Sequence, residues 1–193
     1  GSFITRNYVL RYAKGIEGVI LSGTGTGEKS TLLFTSGLIH FMALFQGWKR
    51  RSNFINKLVF GSFNKKVLAP EPPFDWLSTD KKTVEAYVKD PECGFTFTLN
   101  GFDTLIKLIY QLLNKEELNK IPPGLPILLL SGMEDPTGNY GEGVKHIYQE
   151  YHDAGILEVK MKLYEGMRHE ILNELKKQIV YDDIYQWIQS KIQ

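Results

Sequence analysis

The amino-acid sequence predicts an α/β fold built on a parallel sheet, because three strand-like segments alternate with helical ones. The strand-like segments are GVILSG at 18–23, LPILLLSG at 125–132 and EVKMKLYEG at 158–166. A helical periodicity lies before the first of them and between the last two. Such alternation is typical of a parallel sheet that carries helices on both faces.

The strands and helices differ in the burial that their patterns predict. The continuous apolar run at 127–130 indicates a strand covered on both faces, whereas the alternation around Lys160 and Lys162 leaves one face of the third strand more exposed. The first helix, at 3–14, ends before Gly15, and the helix after the second strand ends at Gly155. The last helix is predicted to pack one apolar face, made of Ile179, Val180, Ile184, Trp187, Ile188 and Ile192.

Residues 24–122 contain no second strand of comparable quality and are predicted to be mostly helical. The helical patterns are LLFTSGLIHFMALF, SNFINKLVFGSFN, TVEAYVKD and NGFDTLIKLIYQLLNKEELNK. Between the second and third of these, Pro70, Pro72 and Pro73 forbid a helix. We therefore expect 24–122 to form a helical cap with a connecting helix, and 1–23 and 123–193 to form the sheet domain.

Composition limits the classes of function. The 193 residues suit one domain, and 23 basic against 22 acidic residues give a net charge of +1, which favours neither nucleic acid nor an anionic surface. The single Cys93 excludes an internal disulfide and a multi-cysteine zinc site. No transmembrane run or secretory signal pattern is present in the sequence. We expect a cytoplasmic protein, and peripheral membrane contact through the cap stays open.

The segment LSGTGTGEKST at 21–31 resembles a nucleotide-binding P-loop. In that motif Lys and Ser or Thr follow the last glycine directly, but here Glu28 stands between Gly27 and Lys29. A carboxylate at this position would repel polyphosphate. The alternative interpretation is that 22–25 is the exit of a strand and that the following residues lead into the cap.

Two loops beyond predicted strands contain candidate catalytic groups. Glu134 and Asp135 follow the second strand, and His169 follows the third. Sites in open α/β sheets form beyond the carboxyl ends of the strands, and an acid followed by a histidine in this order completes a Ser–Asp–His triad. Taken singly, the Asp-Pro pair is also compatible with a simple turn and the histidine with a structural role.

Other constellations are weaker. HEILN begins like a zincin motif, but Asn173 replaces the second histidine, and His146 and His152 face different directions on a predicted helix. The basic cluster WKRRS at 48–52 is best interpreted as a solvated helix face. The apolar stretch LLFTSGLIHFMALFQGW could line an acyl-chain tunnel, contact an interface or pack against the core.

Four segments together resemble the monoacylglycerol lipase and lysophospholipase group of serine α/β-hydrolases, which is also classed with serine aminopeptidases. They are SGMEDPTGNYGEGV, YEGMRHEILNE, PPFDWLSTD and DPECGF. The resemblance implies the C-terminal part of an α/β-hydrolase fold with a helical cap, Asp135 as triad acid and His169 as triad base. It also implies a lipid-like ester substrate and no metal or organic cofactor.

No G-x-S-x-G nucleophile elbow occurs in the sequence. By the resemblance, Gly1 corresponds to the last glycine of that elbow, although Gly1-Ser2 is also a common tag remnant. We therefore expect this chain alone to be inactive, and to meet an N-terminal segment or another copy at an open sheet edge. The alternatives are a peptidase or general carboxylesterase of the same fold, and a non-catalytic binding module; a nucleotide-binding protein comes last.

Overall fold

The computed structural model describes residues 1–67 and 73–192. Its sheet has three parallel strands in the order β1-β2-β3, namely β1 (Val19–Ser22), β2 (Ile127–Gly132) and β3 (Val159–Tyr164). The register pairs Val19 with Ile127, and Ile127 with Val159. The predicted α/β class with a parallel sheet is confirmed. Within the described residues both β1 and β3 are edge strands of this sheet.

Seven α-helices accompany the sheet in the described part of the chain. They are α1 (Ser2–Tyr12), α2 (Lys29–Gln46), α3 (Asn53–Phe60), α4 (Lys81–Lys89), α5 (Leu99–Gln111), α6 (Glu142–Asp153) and α7 (Lys177–Ile192). Short 3-10 helices occur at Phe63–Lys66, Asp75–Leu77, Lys115–Lys120 and Ile171–Asn173. Helices α2 to α5 lie between β1 and β2 in the chain, and the division into cap and sheet domains stays a prediction.

The central strand β2 is buried on both faces, as its apolar run predicts. Ile127 and Leu129 pack into a core with residues of α1 and α6. Leu128 and Leu130 point to the other face, where α7 contributes Trp187. The period of two along the strand thus supplies apolar side chains to two helical layers.

Residues 24–122, called the cap from here on, contain an apolar core formed mainly by α2, α3 and α5. Helices α3 and α5 begin at side chains that accept hydrogen bonds from the first turn: Ser52 from the Ile55 amide at 3.3 Å, and Thr98 from the Gly101 amide at 3.1 Å. The side-chain amide of Asn7 on α1 donates to the Leu108 carbonyl at 2.9 Å. The cap and the sheet are therefore joined by a polar contact as well as by packing.

A buried carboxylate joins α2 to α5 inside the cap. Asp103 is 3 % exposed; one carboxylate oxygen lies 3.0 Å from His40 Nε2 and the other 2.6 Å from Lys107 Nζ. Burial alone would raise the pKa of Asp103, but the hydrogen bonds from Lys107 and His40 outweigh it and lower that pKa. The carboxylate therefore stays ionised at neutral pH and ties the two longest cap helices together.

Two predictions about helices are wrong in detail. The single helix predicted over 100–120 is in fact α5 followed by the 3-10 helix at Lys115–Lys120. Asn114 accepts a hydrogen bond from the Glu116 amide and so caps the start of this second helix. On α7, Val180 and Trp187 are buried, but Ile179 is 49 % exposed and lies off the packed face.

The basic cluster is also placed differently from the prediction. Residues 48–52 form the connection between α2 and α3 rather than a helix face, and Arg51 forms an isolated antiparallel bridge with Thr98. Its guanidinium donates to the Thr96 carbonyl at 2.8 Å. The predicted helix break at Pro70 and Pro72 lies outside the described residues, whereas Pro73 stands in a turn.

Candidate active site

The loops that follow the three strands meet at one edge of the sheet. Because the strands are parallel, their carboxyl ends lie side by side, and the residues after β1, β2 and β3 come into contact. This brings Gly23, Asp135 and His169 together although they are far apart in the chain. The sequence predicted this meeting place for the last two residues but gave no role to Gly23.

Asp135 and His169 form a hydrogen-bonded pair. His169 Nδ1 lies 2.9 Å from Asp135 Oδ2; the carboxylate is fully buried, whereas the imidazole keeps 28 % of its side chain exposed. A carboxylate accepts and does not donate, so Nδ1 must hold the proton in this contact. Nε2 is then left as the nitrogen that can take up a proton from another group.

The buried carboxylate is oriented by two further donors. The Thr137 amide donates to Asp135 Oδ1 at 2.8 Å, and the Ser131 hydroxyl donates to Oδ2 at 3.3 Å. A buried carboxylate needs such partners, since its desolvation is otherwise costly. Ser131 contacts the acid and not the imidazole, so its hydroxyl is not placed to pass a proton to His169.

Two glycines permit the close approach of these loops. Gly23 has φ +59°, and a Cβ built there would lie 2.8 Å from His169 Cε1 and 2.9 Å from Nδ1. A Cβ at Gly132 would lie only 2.1 Å from the Met167 carbonyl oxygen. A side chain at either position would therefore push the histidine loop away from the acid.

Glu134, the neighbour of Asp135, plays a different part. Its carboxyl group is half exposed, and one oxygen lies 3.7 Å from Arg168 Nε. An exposed ion pair of this length contributes little to stability. Of the two acids after β2, the structure thus buries Asp135 and directs Glu134 to the surface.

Part of the cap packs directly on the histidine. The indole of Trp76 lies with its ring centroid 5.2 Å from that of the His169 imidazole. The Glu170 amide donates to the Leu77 carbonyl at 2.7 Å, and Arg168 donates to the Asp75 carbonyl at the same distance. The residues on both sides of His169 are therefore bound to the 3-10 helix at Asp75–Leu77.

Trp76 also lines a cavity of about 570 Å³. Its wall contains six aromatic side chains, and Asn56, Lys57 and Glu92 are among its polar members. The aromatic residues that line it are Phe60, Phe74, Trp76, Tyr87, Phe95 and Phe97. An apolar cavity next to a potential proton acceptor is suited to a ligand with a hydrophobic part.

Of the three possibilities left open for the apolar stretch LLFTSGLIHFMALFQGW, the lining of this cavity does not support the acyl-chain tunnel. The lining comes from residues 56–64 and 73–97, whereas α2 borders a separate hollow of about 430 Å³ together with Trp48. One face of α2, with Leu32 and Ile39, packs into the cap core. The opposite face is exposed.

The segment 21–31 has the geometry of a strand exit rather than of a phosphate loop. Ser22 ends β1, and a Cβ at Gly25 would lie 2.1 Å from the Thr137 carbonyl oxygen, so this turn is packed against the acid loop. At the start of α2 the Glu28 carboxylate accepts a hydrogen bond from the Thr31 hydroxyl at 3.0 Å. The hydrogen bonds from Ser30 and Thr31 lower the pKa of Glu28, which places a negative charge at the helix N-terminus.

The remaining sequence candidates lie elsewhere. His146 pairs with Glu150 on α6 at 3.2 Å, and the His152 ring packs edge-on against Tyr148. Asn173 donates to Glu170. Across the described ranges, no three His, Cys, Asp or Glu side chains cluster in a way that could hold a metal ion. In the same ranges no helix is both long and apolar enough to cross a bilayer.

Comparison with known proteins places this geometry in a family. Residues 1–176 match the family described as serine aminopeptidase, S33. A thermostable carboxyl esterase from Bacillus coagulans, solved with glycerol, superposes with a TM-score of 0.86 at 27 % identity, over 100 % of this chain and 61 % of the esterase. The chain thus spans less than two thirds of the esterase's length.

Two monoacylglycerol lipases share the fold at lower identity. A soluble variant of the monoglyceride lipase of Saccharomyces cerevisiae, in complex with a substrate analogue, gives a TM-score of 0.71 at 19 % identity, over 99 % of this chain and 59 % of that enzyme. The monoacylglycerol lipase of Paleococcus ferrophilus gives 0.70 at 19 %, over 99 % and 65 %. The resemblance drawn from the sequence motifs is confirmed: this chain belongs to the serine aminopeptidase S33 family and contains part of an α/β-hydrolase fold.

Proposed function

We propose that this chain supplies the acid, the base and the cap of a serine hydrolase that cleaves carboxylic esters of lipid type, such as monoacylglycerols or lysophospholipids. The hydrogen bond of 2.9 Å between His169 Nδ1 and the buried Asp135 carboxylate is the observation that carries the proposal. An acid that fixes the imidazole tautomer and leaves Nε2 free is what general-base catalysis by histidine requires.

In this mechanism a serine Oγ attacks the ester carbonyl carbon while His169 Nε2 takes the serine proton. The tetrahedral intermediate collapses as Nε2 gives that proton to the leaving alcohol, and an acyl-enzyme remains. Water then attacks the acyl carbon, its proton passes through Nε2 to the serine, and the carboxylic acid leaves. Throughout the cycle Asp135 keeps its charge and stabilises the imidazolium.

The serine nucleophile of this mechanism is not identified among the residues of this chain. No G-x-S-x-G pentapeptide occurs in the sequence, and Ser131 contacts the acid side of the pair. We propose that the nucleophile and the oxyanion donors belong to other residues of the whole protein. This chain alone would then be inactive, and its edge strand β1 would be the place where further chain joins the sheet.

The lipid character of the substrate is supported by the aromatic cavity. Trp76 lines the cavity and also contacts the imidazole, so a ligand there would lie beside the proposed base. Six aromatic side chains offer apolar surface to an acyl chain, and a cavity of about 570 Å³ suits a chain rather than a small acid alone.

An exposed apolar face on α2 supports peripheral contact with a lipid surface. Its side chains are between 52 % and 80 % exposed, namely Leu33, Phe34, Phe41, Leu44 and Phe45. No Asp or Glu occurs in Lys29–Gln46, and the basic residues 49–51 follow the helix directly. A helix with an apolar face and adjoining cations suits an anionic membrane interface.

A peptidase is the second candidate, favoured by the family to which the chain belongs. Both reactions use the same triad, so they differ in the leaving group and in the cap lining. Turnover of amino-acyl amides without turnover of monoacylglycerols would select the peptidase.

The proposal is tested by hydrolysis of a monoacylglycerol with the full-length protein. We expect Asp135→Asn to lower kcat by about 10⁴-fold and His169→Ala by about 10⁶-fold. His146→Ala, which removes a half-exposed histidine from α6, is the matched control and should leave kcat unchanged. Equal activity in His169→Ala and His146→Ala would overturn the assignment of the base, and a non-catalytic binding module would become the better interpretation.

A further inference from the structure

A buried carboxylate outside the acid–base pair joins the cap to the histidine loop. Glu174 is 1 % exposed, and its Oε1 accepts from the Arg168 amide at 2.8 Å and from the Thr79 amide at 3.0 Å. Its other oxygen, Oε2, accepts from the Thr79 hydroxyl and, at 3.1 Å, from the Thr79 amide. The two partners come from opposite sides of the interface: Thr79 from the cap and Arg168 from the residue directly before His169.

The burial of this carboxylate demands a reason. Taking a charge out of water is costly unless hydrogen bonds replace the lost hydration. Within the described residues Glu174 forms no ion pair with Lys, Arg or His at 4 Å or less, so neutral N–H and O–H donors carry that compensation. The hydrogen bonds that Glu174 accepts from Thr79 and Arg168 also shape the interface, because each holds a backbone amide in place.

The histidine loop is bound to the cap on each side of His169. Before it, Arg168 donates its amide to Glu174 and its guanidinium to the Asp75 and Ser78 carbonyls, at 2.7 and 3.1 Å. After it, the Glu170 amide donates to the Leu77 carbonyl at 2.7 Å. The backbone of His169 therefore lies between two residues whose positions are set by residues 75–79.

We propose that Glu174 is a positioning residue: it holds residues 75–79 of the cap and the Arg168 amide in one arrangement, and thereby keeps the His169 imidazole on Asp135. The inference rests on the proposed function for its catalytic meaning, but the geometric effect stands without it. It assigns the cap a second task beside covering the cavity, namely holding the base in place.

A purely structural role for Glu174 makes a different prediction. If Glu174 only stabilised the fold, a folded variant would keep the His169 Nδ1–H bond to Asp135 unchanged. If only its charge mattered, an uncharged isostere would alter the imidazole and a shorter acid would not.

The experiment is ring ¹H–¹⁵N NMR of the four histidines in this chain, which reports the tautomer of each imidazole without requiring turnover. Wild-type His169, assigned with His169→Asn, is expected as the Nδ1–H tautomer. Glu174→Asp keeps the charge but is one methylene too short to reach both amides. We expect it to lose the Nδ1–H signal to a mixture of tautomers.

Glu174→Gln is the complementary variant, because its carbonyl oxygen can still accept from both amides. We expect it to retain the Nδ1–H signal, and Glu165→Ala, which removes an exposed acid from the same loop, to retain it as well. A folded Glu174→Asp with the wild-type tautomer, or loss of the signal in Glu174→Gln alone, would overturn the proposal. Should Glu174→Asp fail to fold, Glu174→Met keeps the length of the side chain but accepts from neither amide, and an unchanged tautomer in that variant would overturn the proposal instead.

The outcome is separate from that of the proposed hydrolase function. If Glu174→Asp loses the Nδ1–H tautomer and the wild-type full-length protein does not hydrolyse the ester, the positioning role is sustained and the proposed function is refuted. If the wild-type full-length protein is active and Glu174→Asp keeps the tautomer, the function is sustained and the positioning role is refuted.

Discussion

The close approach of Gly23 to the His169 imidazole allows the free-energy cost of a substitution at Gly23 to be estimated from the structure. In Gly23→Ala the new methyl group would lie 2.8 Å from His169 Cε1, well inside van der Waals contact, at a residue with φ +59°. The left-handed backbone costs about 1 kcal/mol for alanine relative to glycine. Displacing the packed imidazole costs about a further 1–3 kcal/mol, as for other insertions into packed sites.

Gly166→Ala separates these two costs. Gly166 has φ +66° in the loop that leads to His169, but a Cβ there would meet nothing within 4 Å. Both substitutions change the unfolded chain in the same way, so that contribution cancels in the comparison. The free energy of unfolding should fall by about 1 kcal/mol in Gly166→Ala and by about 2–4 kcal/mol in Gly23→Ala.

Urea unfolding followed by circular dichroism measures both values, and the ring NMR spectrum of His169 gives a local reading on the same samples. We expect the Nδ1–H signal to be lost in Gly23→Ala and kept in Gly166→Ala. Equal losses of stability in the two variants, with the imidazole unmoved in both, would refute the argument that Gly23 is required by its contact with the histidine.

Three further predictions concern the cap and the sheet. Because the pKa of Asp103 is lowered in the folded state, its stabilising contribution is present at neutral pH and lost as the pH falls through that pKa. The difference in unfolding free energy between wild type and Asp103→Asn should therefore shrink on acidification. A difference that stays constant with pH in urea titrations would contradict this. Phe45→Ser should weaken binding to anionic vesicles by about tenfold or more without lowering Tm, and unchanged co-sedimentation would remove α2 from the interface. Tyr164→Phe loses a hydrogen bond of 2.9 Å to Asp183 and should cost about 1 kcal/mol, with a cost near zero in urea unfolding as the contrary result.

The sheet and the contact between Asp135 and His169 were predictable, because the strands show in local patterns and the contact follows from their order. Each strand lies inside the apolar segment that predicted it, and β2 shows the two-sided burial that its continuous run indicates. The meeting of Asp135 with His169 follows from topology, since loops after neighbouring parallel strands must lie at one edge. No knowledge of side-chain packing is needed for that step.

The rest of the site could not be predicted, because it depends on contacts between distant segments. The hydrogen bonds of Glu174 to Thr79 span 95 residues, and nothing in the local pattern of HEILNE separates a buried glutamate from a surface one. Trp76 follows the proline-rich segment, where no periodicity in the sequence indicates which way a side chain points. The same limit explains the error on α7, where Ile179 and Val180 are both apolar but only the packing against β2 decides which is buried.

The contacts around Glu174 also restrict how a ligand could reach His169. Residues 75–79 are held by a buried carboxylate, so moving them as a lid would expose that charge's donors and release His169. Elsewhere in the cavity lining, Lys57 on α3 and Gly61 just after it are exposed. A substrate is therefore expected to enter past α3 and to lie beside Trp76, the lining residue that contacts the imidazole.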